Sequence, residues 1–142
     1  RSRPFHFGSM EKNVIFTGMI SEEEKVKHIE KCDFLVLPSI SKAEAFALVQ
    51  IEAMAFGKPV INTALPSGVP CVSINGVTGL TVQPGSLLEL THAMDKMAEN
   101  NAMREKYGRQ AFDMVQREYT PEKLAERHMQ VFRELLNEGK VK

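Results

Sequence analysis

The chain has 142 residues, about the length of one domain, and 43% of them are hydrophobic, enough to build a buried core. Its 18 lysines and arginines balance 18 aspartates and glutamates, so no overall field attracts nucleic acid and no basic run tracks a phosphate backbone. No stretch approaches the roughly 20 apolar residues that span a bilayer, no secretion signal is visible, and Cys32 and Cys71 stand apart without metal-ligand spacing, which together describe a soluble chain in a reducing cytoplasm.

Residues 1–12 hold no convincing element and read as a tail or an expression remnant around Gly8-Ser9-Met10; the alternation of Phe5 and Phe7 is the one hint of an edge strand. Val14-Ile15-Phe16-Thr17, ending at Gly18, reads as a buried strand and a turn. Ser21 precedes Glu22-Glu23-Glu24 in a capping-box pattern that starts a helix running to about Cys32. Phe34 to Leu37 is a continuous apolar run stopped by Pro38, the signature of a strand covered on both faces, so the sheet is expected to be parallel. A helix over Ala47 to Phe56, capped by Gly57, leads into a strand from Pro59 to Asn62, and turns at Asn75-Gly76 and Gly79 flank a short strand from Leu80 to Val82.

Three helices are expected beyond that point. Ser86 to Glu89 forms a second capping box, with Leu87, Leu90, Met94 and Met97 on one face. Met103, Tyr107, Ala111 and Met114 mark the next helix, and Thr120-Pro121 opens the last, with Leu124, His128, Val131 and Leu135 in register. Strands alternating with helices define an α/β fold, a Rossmann-like parallel sheet with flanking helices. His28 on a polar face and His128 at a core-facing position read as structural, His92 as solvated, and the methionines as core filler. Lys58 suits the helix dipole, and the Glu22–Glu24 run suits a first helical turn better than a metal site.

The helix after Ala47 raises a separate question. It is apolar nearly all round, yet Gln50 and Glu52 project about 200° apart, so at least one of them must be paired or must face an interior cleft. The plain reading of Glu52 is a salt bridge to a lysine or arginine, or contact with water at the sheet edge. Glu44 lies in the loop before the helix, beyond the carboxyl end of a strand, where α/β sheets bind ligands and where a helix N-terminus offers free N–H groups to an anion. Carboxylates suit sugar hydroxyls and the helix end suits phosphate, so the pair points to a nucleotide sugar.

The stretch "PSISKAEAFALVQIEAMAFGKPVINT", followed by "PSGVPCVSINGVTGLTVQPGS", carries two glutamates separated by seven residues across a loop and helix. It resembles the donor-binding, C-terminal half of two-lobed GT-B glycosyltransferases of the glycogen-synthase-like, group 1 type, over roughly residues 13–136. The resemblance implies a retaining transfer of a hexose from a nucleotide sugar to a glycan or lipid-linked acceptor, with the nucleotide sugar a substrate, no further cofactor and no metal. It assigns Glu44 to the transferred sugar as the catalytic-site carboxylate and Glu52 to the ribose. Backbone N–H groups of Phe46, Ala47, Leu48 and Val49 receive sugar and diphosphate oxygens, Gly18, Met19 and Ile20 lie against the base, and Ser67 and Gly68 approach the donor.

Ala45 and Ala47 stand where the family usually has glycine, and the methyl of Ala47 either crowds the sugar or demands its own backbone conformation. The family's upstream arginine and lysine pair and its acceptor-binding half have no counterpart here. Residues 13–142 are therefore expected to be a donor-binding domain with its C-terminal helices, inactive alone, from a cytoplasmic enzyme or one peripheral to the inner membrane face; membrane contact is not evident in the segment itself. The competing readings are a non-catalytic module binding a nucleotide or a protein, and a nucleotide-sugar epimerase of related fold, which would need a cleft histidine that is not seen.

Overall fold

The computed structural model describes residues 13–41 and 43–138. Among these the elements are α1 (Glu22–Lys31), β1 (Leu35–Val36), α2 (Leu48–Ala55), β2 (Val60–Thr63), α3 (Val69–Val72), β3 (Gly79–Val82), α4 (Leu87–Glu99), α5 (Asn101–Glu118) and α6 (Pro121–Glu138). The strands form a parallel sheet in the order β1-β2-β3, with Leu35 opposite Val60 and Val60 opposite Gly79. Every residue of β2 is buried, as a central parallel strand with helices over both faces requires. Successive side chains of β2 point to opposite faces. Val60 joins Ile29, Ala53, Met54, Val72, Ala111 and Val115 on one side. Ile61 joins Val82, Ala93, Met97 and Tyr107 on the other.

Local chemistry sets the helix boundaries. The Ser21 side chain accepts from the Glu24 N–H while Glu24 accepts from the Ser21 N–H at 3.0 Å, so the expected capping box closes in both directions. Helix α2 ends in a left-handed Gly57 (φ +66°), with Gly57 N–H donating to the Met54 carbonyl and Lys58 N–H to the Ala53 carbonyl, both at 2.9 Å. That is a Schellman closure, and it needs glycine. A Cβ on Gly108 of α5 would lie 2.1 Å from the Gly57 carbonyl oxygen, so the two backbones touch with no side chain between them.

Several sequence expectations are corrected. Val14–Thr17 form no strand, and Ile15 and Phe16 are 85% and 72% exposed. An apolar run becomes a strand only by exchanging ladder bonds with a neighbour, and β1 contributes two residues, both paired to β2. Helix α3 was not foreseen, because four residues are too few to show a helical period. In α4 the buried face is Ala93 and Met97, with Leu90 half-buried, while Leu87 and Met94 are exposed; Glu89 turns to accept from the Gln83 N–H at 2.8 Å, so only the Ser86 half of that capping box forms. His128 is not core-facing but exposed, with Nδ1 2.8 Å from the Leu124 carbonyl, and Leu124, Val131 and Leu135 of the same helix are exposed with it. Residues 1–12, including Phe5 and Phe7, lie outside the described residues.

Candidate functional site

Helix α2 begins without a side-chain cap. Its N-cap residue is Ala47, at φ 56° and ψ 75°, a left-handed conformation that no other non-glycine described residue adopts. The Ala47 carbonyl accepts the first helical bond, from the Gln50 N–H at 3.0 Å. Among the described residues the N–H groups of Phe46, Ala47, Leu48 and Val49 have no acceptor. A free row of N–H groups at the positive end of a helix is a seat for an anion. The left-handed alanine carries steric strain that glycine lacks, so Ala47→Gly should stabilise the fold by about 0.5 to 1 kcal/mol, net of the larger entropy of the unfolded glycine. Urea unfolding measures this, and a less stable variant would contradict the conformation.

The loop ahead of α2 is held from outside the helix. Gly68 N–H donates to the Ala45 carbonyl at 2.8 Å, and a Cβ on Gly68 would sit 2.8 Å from that oxygen and 2.9 Å from the Phe46 ring. Gly68 is thus required by close approach, its φ of −71° being open to any residue. Ser67 Oγ accepts from the Val69 N–H at 3.4 Å and so closes its own turn. The Phe46 ring meets Tyr119 edge-on, with centroids 6.3 Å apart. Glu44 is half-buried, its N–H donating to the Ser41 carbonyl at 3.2 Å, and its carboxylate has no hydrogen bond or ion pair among the described residues.

Glu52, one turn into α2, pairs with Lys25 of α1. The ammonium donates to Oε1 at 3.1 Å and lies 3.0 Å from Oε2, a charge contact without hydrogen-bond alignment, so the buried Oε2 keeps its lone pairs free. Lys25 also reaches Glu22 at 2.6 Å, and the Glu22 hydrogen bond, then that of Glu52, hold its pKa above the usual lysine range. The salt bridge expected as the plain reading of Glu52 is therefore present. It sets the first turns of α1 beside α2, with Gly18 (φ +63°), the fully exposed Met19 and the half-buried Ile20 just ahead of the Ser21 cap. The structure joins Glu44–Val49 to Ser67–Gly68 directly, whereas no hydrogen bond among the described residues joins Gly18–Ile20 to that cluster.

Sequence reasoning missed a buried amide pair behind the helix end. Gln50 and Asn62 are fully buried, and the two hydrogens of Asn62 Nδ2 are shared among three acceptors, Gln50 Oε1 at 2.9 Å, the Val69 carbonyl at 3.1 Å and the Ser73 carbonyl at 3.2 Å. Gln50 Nε2 donates to the carbonyls of Phe46 at 3.3 Å and Val69 at 3.2 Å, and Thr81 Oγ1 donates to Asn62 Oδ1 at 2.7 Å. The available signal was an asparagine inside the apolar run Val60–Thr63, since a polar side chain in a central strand has to be satisfied from within. The half-buried Cys32 is inert by comparison, its thiol donating to the Ile29 carbonyl at 3.2 Å and its pKa raised by burial. The described residues contain no cluster of three or more potential metal ligands.

Known proteins resemble this chain in sequence and fold. Residues 8–114 match the family "Glycosyl transferases group 1". Among curated relatives, the O-antigen chain mannosyltransferase C of Escherichia coli is 26% identical over 124 residues, covering 87% of this chain and 33% of its own length. The D-rhamnosyltransferase WbpZ of Pseudomonas aeruginosa is 33% identical over 100 residues, covering 70% of this chain and 26% of its own. The chain thus spans about a third or less of these relatives. The sucrose-phosphate synthase of Thermosynechococcus elongatus superposes with a TM-score of 0.78 and 31% identity over 90% of this chain and 31% of its own, and TarM, at a TM-score of 0.74 and 20% identity over 86% and 24%, shares the fold. The parallel sheet with flanking helices is the fold of these GT-B glycosyltransferases, and with the family match running from residue 8 to 114 the chain belongs to glycosyl transferases group 1.

Proposed function

We propose that this domain binds the nucleotide-sugar donor of a retaining hexosyltransferase. The observation that carries the reading is the uncapped N-terminus of α2, with its unbonded N–H groups flanked by the free Glu44 carboxylate and by Glu52. The N–H groups of Phe46 to Val49 receive diphosphate and sugar oxygens, and the helix end stabilises charge on the departing diphosphate. Glu44 accepts from hydroxyls of the transferred sugar. Glu52 accepts from the ribose once Lys25 leans on Glu22 and uncovers the buried Oε2. Gly18, Met19 and Ile20 form the base-side wall, with Ile20 reading the base through main-chain atoms, and Ser67 and Gly68 complete the loop beside the sugar.

The acceptor, a glycan or a lipid-linked saccharide, would be bound by a partner half beyond this segment; the O-antigen mannosyltransferase and the rhamnosyltransferase among the relatives support a role in polysaccharide or lipopolysaccharide assembly. No described helix is long and apolar enough to cross a membrane. The proposed enzyme is cytoplasmic or peripheral at the inner face of the membrane. The donor is a substrate, and the reading calls for no additional cofactor.

Calorimetry of the 142-residue chain with nucleoside diphosphates tests this reading. Weak binding is expected without sugar transfer. Glu52→Gln should cost about 1 to 2 kcal/mol of nucleotide affinity, the order of one charge-assisted hydrogen bond, with inorganic phosphate binding unchanged. A variant that loses thermal stability while keeping its nucleotide affinity would reduce Glu52 to the Lys25 salt bridge alone.

A further inference from the structure

The buried amide pair acts on the free N–H groups at the start of α2 through the rigidity of the peptide unit. All described peptides are trans, so each C=O and its partner N–H point in opposite directions. The Ala45 carbonyl is drawn toward the protein by Gly68 N–H at 2.8 Å, which turns the Phe46 N–H away. The Phe46 carbonyl is drawn inward by Gln50 Nε2 at 3.3 Å, which turns the Ala47 N–H away. The second of these peptides adjoins the one left-handed non-glycine residue described, where backbone strain favours rotation out of the observed conformation.

From these contacts we infer that Gln50 is a positioning residue for donor binding. Its buried amide, oriented by Asn62, holds the Phe46–Ala47 peptide against the strain at Ala47 and keeps the Ala47 N–H directed at the donor's oxygens. The role deepens the donor-binding reading above and rests on it. Gln50 is fully buried and touches no ligand itself. Both hydrogens of Gln50 Nε2 are committed to carbonyls, and the Asn62 amide fixes which end of Gln50 is donor, because Asn62 Nδ2 donates to Oε1.

A double-mutant cycle between Gln50→Met and Ala47→Gly tests the inference, read by titration with uridine and guanosine diphosphates and by the amide resonance and hydrogen exchange of residue 47. Gln50→Met should lower affinity about tenfold, the loss of roughly one oriented hydrogen bond, and shift the Ala47 amide signal. With glycine at 47 the left-handed conformation needs no restraint, so the same change should cost less than about threefold; contacts that share one strain are non-additive. Thr81→Val removes only the far end of the network and should lower stability while leaving affinity intact. Should Gln50→Met not fold, Gln50→Glu replaces it, keeping an acceptor for Asn62 and losing the donor to Phe46. Additive losses in the cycle, or an affinity loss in Thr81→Val equal to that of the Gln50 variant, would overturn the inference. If neither nucleotide binds the unmodified chain, the donor-binding reading falls, and an Ala47 amide unmoved by Gln50→Met would separately refute the restraint.

Discussion

Gly79→Ala is expected to destabilise the domain by about 3 to 5 kcal/mol, a large share of the roughly 5 to 15 kcal/mol that holds a domain folded. The Cβ it introduces would lie 1.8 Å from the Val60 carbonyl oxygen and 2.9 Å from Ser73 Oγ. Neither can yield cheaply. The Val60 backbone belongs to the central strand, and Ser73 Oγ is buried 3.1 Å from Thr78 Oγ1. Relief therefore requires β3 to move away from β2, opening a ladder that runs from Val60–Gly79 to Thr63–Val82. Gly76→Ala provides the control. Its φ of +74° strains an alanine, but nothing lies within 4 Å, so the loss should stay near 1 kcal/mol. Urea midpoints for both variants give the comparison, and a Gly79→Ala loss no larger than that of Gly76→Ala would show that β3 is not held against β2 as described.

If this domain works with an acceptor half as proposed, Glu44→Gln is expected to slow sugar transfer by about tenfold to a thousandfold in that enzyme, while affinity for the bare nucleoside diphosphate stays intact. The asymmetry follows from geometry. The Glu44 carboxylate lies in the loop ahead of the free N–H row and is not committed to any described residue, whereas Glu52 lies a turn inside α2, tied to Lys25. A group that meets only the transferred sugar is felt as the sugar departs; one that meets the ribose is felt by every nucleotide ligand. Saturation kinetics and titrations with the donor and with the bare diphosphate, on both Gln variants, separate these cases. Equal loss of diphosphate affinity in the two variants, or unchanged turnover in Glu44→Gln, would sink the assignment.

Elements were legible in the sequence wherever their determinants are local. The reciprocal Ser21–Glu24 cap and the glycine closing α2 depend on neighbours a few residues away, and both form; the apolar runs around β1 and β2 form strands because each meets a partner edge. Val14–Thr17 shows the limit of that reading: its composition is that of a strand, but strand formation is decided by the partner edge. The apolar stripe of α6 is equally clear in sequence, yet period alone does not say what covers it, and Leu124, Phe132 and Leu136 are exposed. At the candidate site, the side chains Glu44 and Glu52 could be named from spacing. The backbone could not be read in the same way: the inward-turned carbonyls of Ala45 and Phe46 beside the left-handed Ala47 depend on Gly68, distant in sequence, and on a Gln50 side chain oriented by the distant Asn62 and Val69.

The bare contact between Gly57 and Gly108 bears on how the domain opens. With the Gly108 backbone seated against the Gly57 carbonyl, the end of α2 and the middle of α5 share one surface that no rotamer change can loosen. Partial separation of the two helices would expose the fully buried Ala53, Met54 and Ala111 together. The hydrogen-bonded amides of α2, from Gln50 on, and those of the central turns of α5 should therefore exchange with solvent as one cooperative unit, at a free energy close to that of global unfolding, while those of α6, exposed over residues 121–136, exchange far sooner. The scaffold beneath the free N–H row is thus expected to be among the last parts of the domain to breathe, with faster fluctuations in the loop ahead of α2 and its first two residues.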